Sequence, residues 1–160
     1  MLFIHSWIEK LAREGAEMKE IVTVSFSSKS INTRLARAVI RSFLLYRNIS
    51  EEEIWDTELG ANEALTNIIR HTYKGDENKY ITMTLIWDES EKQLQILLRD
   101  FGEHVDPDVI KPKMPSPDKE GGFGLYIISR IFNDVQLVNL QNGNLLKLTK
   151  VFTSLAGDLR

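Results

Sequence analysis

Glu63 and Asn67 stand one helical turn apart in the run Glu63-Ala64-Leu65-Thr66-Asn67-Ile68-Ile69-Arg70-His71, pairing a carboxylate with an amide. At about 100° per residue, Glu63, Asn67 and His71 fall within an arc of about 80°, with Ala61, Leu65, Ile68 and Ile69 on the other side. An amide oxygen can complete the shell of a Mg²⁺ whose remaining ligands are phosphates and water. A carboxylate one turn away can orient or deprotonate an attacking hydroxyl. The plainer reading of the same spacing is a solvated polar helix face. Two glycine-bearing motifs follow. Arg99-Asp100-Phe101-Gly102 ends a strand pattern; its carboxylate can accept from an exocyclic amine such as adenine N6, with Gly102 letting a base approach the backbone. Gly121-Gly122-Phe123-Gly124-Leu125 opens a helix pattern, where unpaired N–H groups and the positive end of the helix dipole can seat phosphate. Taken singly, these two are equally a strand exit and a turn.

The elements that position these residues are readable from periodicity. Residues 1–17 carry Ile4, Ile8 and Leu11 at helical spacing, stopped by Gly15, and are either an extension or an over-long translation start before Met18. Alternation and β-branched residues predict a strand over 19–26. A helix over 29–47 carries Ile31, Leu35, Ala38, Val39, Ser42, Leu45 and Tyr46 as its apolar face. Ser50 and Glu53 form a capping box that opens a second helix to about Tyr73. Strands over 79–87 and 93–99 make a hairpin across Asp88-Glu89-Ser90-Glu91. From Gly102 to Gly122 runs a loop holding all four prolines, long enough to suggest a functional lid. A helix to Phe132 and strands over 134–140 and 145–152, turned at Asn142-Gly143, complete the chain. The order β-α-α-β-β-lid-α-β-β predicts an α+β domain: a mixed, mostly antiparallel sheet covered on one face by helices.

Composition narrows the function classes. At 160 residues, with 42% hydrophobic and 27% charged residues, the chain can bury a core and is not a disordered sequence. A formal charge of −3 gives no global basic field for nonspecific nucleic-acid binding. Zero cysteines exclude disulfides, thiolate metal sites and cysteine nucleophiles, and fit a cytoplasmic setting. No apolar run approaches the ~20 residues of a membrane span. No G-x-x-x-x-G-K-[ST] loop follows a strand, so a P-loop enzyme is excluded. His5, His71 and His104 are too dispersed to argue for a metal site. Trp7, Trp55 and Trp87 read as core or interface aromatics, and Lys111 and Lys113 as solvated loop charges.

In their order, the three motifs resemble the N, G1 and G2 boxes of the GHKL (Bergerat-fold) ATPase superfamily. Glu63 to His71 is more closely similar to the E-A-x-T-N-x-x-x-H box of the bacterial anti-sigma-factor serine-protein kinases. The resemblance covers residues 19–152. It implies a histidine-kinase-like ATPase domain over 18–153, flanked by a helical extension over 1–17 and a tail over 154–160. It implies ATP and Mg²⁺ as cofactors, with Glu63 as the general base or orienter toward a protein serine. Asn67 would hold Mg²⁺ and phosphate, Asp100 the adenine amine with Gly102 close to the base, and Gly122 and Gly124 the phosphates, with Lys119 the nearest lid cation. The implied partners are a sigma factor and a small antagonist protein carrying the serine, with the kinase a homodimer that contacts neither nucleic acid nor membrane. A catalytically weak, nucleotide-dependent binding module is the alternative. Two positions depart from the family pattern. Asn144 and Leu145 stand where relatives carry a threonine that supports the adenine site, and Phe123 stands where relatives often carry an arginine toward the γ-phosphate.

Overall fold

The computed structural model describes residues 19–110 and 123–153. The expected helix over 1–17, the tail, Lys111, Lys113, Lys119, Gly121 and Gly122 lie outside the described residues. The described residues form five strands and three α-helices, in the order β1 (Glu20–Ser27), α1 (Thr33–Leu45), α2 (Glu51–Asn67), β2 (Tyr80–Asp88), β3 (Gln93–Arg99), α3 (Phe123–Ile131), β4 (Asp134–Asn139) and β5 (Asn144–Val151). The strands form one sheet in the order β1-β2-β3-β5-β4, and all four neighbouring pairs are antiparallel. The α+β architecture expected from element order is the one observed, with the sheet of the described residues antiparallel throughout rather than mixed.

Period-two patterning becomes a core because the registers align it. Val22, Leu85, Ile96, Leu148 and Val135 make one row across all five strands; Val24, Met83, Leu98, Leu146 and Leu137 make the next row on that face. Met83, Leu85, Ile96 and Leu148 are wholly buried. They join Ile54, Ala61, Leu65 and Ile68 of the α2 region and Ile128 of α3 in a single cluster. On the reverse face the hydroxyls of Thr23 and Thr84, and of Ser25 and Thr82, pair across β1 and β2.

Helix α1 corrects the sequence reading. It buries Ala36, Ile40, Phe43 and Leu44, whereas Ile31, Leu35, Leu45 and Tyr46 of the expected apolar face are exposed. The helix has two apolar stripes, and α2 packs on the second. Arg41 of α1 ties that packing: its guanidinium donates at 2.7 and 3.1 Å to the buried Glu58 carboxylate and at 2.7 Å to Glu51. Trp87 is core and stacks tilted on Phe152 at 5.8 Å, but Trp55 is exposed.

Helix α2 begins as its sequence dictates. Ser50 Oγ accepts from Glu53 N, and three glutamates fill the positive first turn. Burial pushes the Glu53 carboxyl up, partly offset by Lys150 and by a hydrogen bond from the Thr153 backbone. The expected helix to Tyr73 changes form at Asn67: residues Ile68–Thr72 wind as a wider turn, in which Tyr73 N bonds Ile68 O at 2.9 Å. Helix α3 crosses α2 closely at Gly60, where an added Cβ would lie 2.6 Å from Phe132 Cε2. That crossing sets the start of α3 over the Glu63–Asn67 face.

Candidate functional site

Gly124, in the first turn of α3, is the point of closest approach. A Cβ there would lie 2.8 Å from Glu63 Oε2 and 3.8 Å from both amide atoms of Asn67. Two of the predicted motifs therefore meet: the carboxylate and amide of α2 face the amino-terminal turn of α3. Glu63 and Asn67 are half-buried. This is a rim between helices rather than the open polar face that their spacing also allowed.

Asp100 forms the other end of the site, where β3 leaves the sheet. It is 2% exposed, and its Oδ1 accepts from Gly102 N at 2.9 Å and from Asn144 Nδ2 at 3.0 Å. Gly102 is needed sterically, since a Cβ there would lie 2.4 Å from Thr72 Cγ2 at the end of the wide turn. Gly143 is needed twice over. Its φ is +86°, and a Cβ would meet the Asp100 carbonyl at 2.3 Å.

Arg99, Tyr73 and Asn144, none of them assigned a supporting role from the sequence, hold this end together. Arg99 donates to the carbonyls of Asp100, Asn144 and Asn142, and its guanidinium lies 4.3 Å from the centre of the Phe101 ring. Burial lowers its pKa, opposed by the Asp100 charge. Tyr73 donates to the Tyr80 carbonyl at 2.5 Å and accepts from Phe101 N at 2.8 Å; burial pushes its phenol above the ordinary value. Asn144, a departure from the family pattern on the sequence alone, reaches the Asp100 carboxylate itself. The Asn142-Gly143 turn was the available signal for Asn144, because it aims the residue back toward the end of β3.

Asn67, Asp100 and Gly124 line a single cavity of about 840 Å³, together with His71, Val105 and Ile110. Apolar residues make most of its wall, and Ser129, Asn133, Asp134 and Gln136 add polar groups to it. His71 borders it while exposed, and His104 Nε2 bonds the Leu140 carbonyl at 2.8 Å. The Asn67 amide oxygen is a hard, neutral donor of the kind suited to a Mg²⁺ that keeps phosphate and water ligands. Asp100 offers an acceptor to an amine, and Asn67 and the first turn of α3 offer polar groups to phosphate, with the Glu63 carboxylate beside Gly124.

Residues 26–150 match the histidine kinase-like ATPase domain family. The chain is 30% identical over 124 residues to the serine-protein kinase RsbW of Oceanobacillus iheyensis, covering 72% of this chain and 77% of that protein. It is 28% identical over 131 residues to the serine-protein kinase RsbW of Listeria monocytogenes, covering 76% and 82%. Among solved structures, a chain of the SiaB–SiaC complex from Pseudomonas aeruginosa superposes with a TM-score of 0.63 at 16% identity, over 93% of this chain and 98% of that one. The RsbU and RsbW domains of a Mycobacterium tuberculosis protein superpose with a TM-score of 0.62 at 15% identity, over 86% of this chain and 33% of that one. These structural likenesses speak to the fold. None of the described helices is long and apolar enough to cross a membrane.

Proposed function

The chain belongs to the histidine kinase-like ATPase domain family, and on that premise we propose that it is an ATP-dependent serine-protein kinase acting as an anti-sigma factor. The matches to proteins named serine-protein kinase RsbW support the activity. The observation that carries the reading is the close approach of Gly124 to Glu63 and Asn67 beside a cavity that Asn67, Asp100 and Gly124 all line.

Asp100 accepts from the adenine amine, and Gly102 keeps the neighbouring backbone close to the base. Asn67 and the first turn of α3 at Gly124 hold the phosphates, with Gly122 and Lys119 as further phosphate contacts. Mg²⁺, held by Asn67 and the phosphates, supplies charge neutralisation when bound. The serine Oγ of the antagonist forms a bond to the γ-phosphorus while the bond from that phosphorus to the β–γ bridging oxygen breaks. Glu63 takes the serine proton, ADP leaves, and the partner carries phosphoserine. We take the partners to be a small antagonist protein and a sigma factor, and the working unit to be a homodimer in the cytoplasm.

A second reading is a nucleotide-dependent binding module that exchanges partners without useful phosphoryl transfer. It draws on Phe123, an exposed aromatic where relatives often carry an arginine. Incubation with labelled ATP and the candidate antagonist, followed by mass spectrometry of its serines, decides between the two. Phosphoserine formed by the wild type and lost with Glu63→Gln supports the kinase. No phosphoserine, with ATP altering which partner is held, supports the module. A wild type that binds no ATP at millimolar concentration ends both.

A further inference from the structure

Asn144 is wholly buried and makes three side-chain hydrogen bonds at one junction. Its Nδ2 donates to Asp100 Oδ1 at 3.0 Å and to the Glu103 carbonyl at 2.8 Å, while its Oδ1 accepts from Val105 N at 3.0 Å. The pattern fixes the amide's orientation, since a flipped amide would set its oxygen against two acceptors and its NH₂ against an N–H. The backbones of Asp100 and Asn144 also pair, with Asp100 N donating to Asn144 O at 3.0 Å. Two donors thus occupy Asp100 Oδ1, Gly102 N being the other. The carboxylate is held with Oδ2 as the oxygen left for a ligand N–H. Val105 and Ile110, in the segment that Asn144 anchors, line the cavity that Asp100 also lines.

From this geometry we infer that Asn144 is a positioning residue that makes the site selective for 6-aminopurines and at the same time pins the 103–110 wall of the cavity to β5. The inference rests on the reading of Asp100 as the adenine acceptor. A carboxylate oxygen held as a fixed acceptor favours an exocyclic amine and opposes the C6 carbonyl of a 6-oxopurine, as sites built around one buried polar contact do. Asparagine supplies two donors and one acceptor at this junction. Aspartate has the same shape but supplies no donor, and beside Asp100 it would share a proton, so that the pair could donate to a C6 carbonyl. Threonine keeps one hydroxyl donor for Asp100 and has none left for the Glu103 carbonyl.

The test compares ATP with inosine triphosphate by calorimetry, for wild type, Asn144→Asp and Asn144→Thr, with amide hydrogen exchange over residues 103–110 in the nucleotide-free proteins. The wild type is expected to prefer ATP by at least about tenfold. Asn144→Asp is expected to reduce that preference by about tenfold or more. Asn144→Thr is expected to keep it within about threefold while speeding exchange over 103–110. A preference in Asn144→Asp equal to that of the wild type overturns the inference. Should the aspartate variant not fold, the threonine variant decides: unchanged exchange over 103–110 overturns it. Failure of the wild type to bind ATP instead overturns the nucleotide reading itself, and this inference with it.

Discussion

The two ends of the site are built on different principles. At the Asp100 end, three strand ends and a turn converge. Arg99, Tyr73 and Asn144 hydrogen-bond the backbone or carboxylate there, and Gly102 and Gly143 remove the Cβ atoms that would keep the segments apart. At the Glu63–Asn67 end, one helix face meets the first turn of another, and steric closeness at Gly124 sets the approach. The first end is preorganised by backbone contacts, so a substitution that disturbs those contacts changes affinity and fold together. The second is a helix surface, so a substitution there changes reactivity while the core beneath stays intact.

The sharpest test of this contrast is Glu63→Gln. It removes a proton acceptor while keeping shape, so phosphoryl transfer to the antagonist serine is expected to fall by about 10²–10⁴-fold. Nucleotide affinity should move by less than about threefold and the melting temperature very little. Equal rates for both proteins would remove Glu63 from the chemistry. Asp100→Asn comes next. Its Oδ1 can still accept from Gly102 and Asn144, but the amide loses the charge and one acceptor facing the amine. Calorimetry is expected to register an ATP affinity lower by about tenfold or more, with a stability change under about 1 kcal/mol.

A matched pair of glycine substitutions sharpens the comparison further. Gly143→Ala forces a Cβ into the Asp100 carbonyl at positive φ, so denaturant unfolding is expected to report a loss of about 1–3 kcal/mol together with weaker nucleotide binding. Gly124→Ala meets the end of the flexible Glu63 side chain, which can turn aside. Stability should hold within about 0.5 kcal/mol, while the transfer rate falls by about tenfold as the carboxylate is displaced. Stability losses of the same size in both variants would break the distinction between the ends.

The smallest effect is a pH dependence confined to the Asp100 end. The Tyr73 pKa is raised in the folded protein, chiefly by burial, so the unfolded chain releases the phenolic proton first. Stability is then expected to fall as pH rises past about 10, and the phenolate can no longer donate to Tyr80. Tyr73→Phe should flatten that alkaline decline in thermal melts, at some cost in stability at neutral pH.

Much of this molecule was legible from local pattern. The β1 alternation, the Ser50 cap, the β2–β3 hairpin and the Asn142-Gly143 turn depend on residues within a few positions of one another, and each formed close to where it was expected. The apolar face of α1 was misassigned because periodicity reveals a stripe but not which neighbour will cover it. The widening of the helix after Asn67 left no local sign, because its consequence is a contact of Thr72 with Gly102, thirty residues on.

The sequence by itself determined the kinds of groups available and their order: a carboxylate and an amide one turn apart, an Asp-x-Gly at a strand end, and a glycine opening a helix. Residue types and helical or strand periods are properties of short stretches of chain, so they survive without knowledge of the fold. Tertiary structure decided that Gly124 presses on Glu63, and that Asn144, forty-four residues from Asp100, lends the carboxylate a donor and pins the wall beside it. Those contacts follow from the register of β3 on β5 and from the crossing of α2 by α3 at Gly60. Register and crossing are set by packing a whole core, which no single segment encodes.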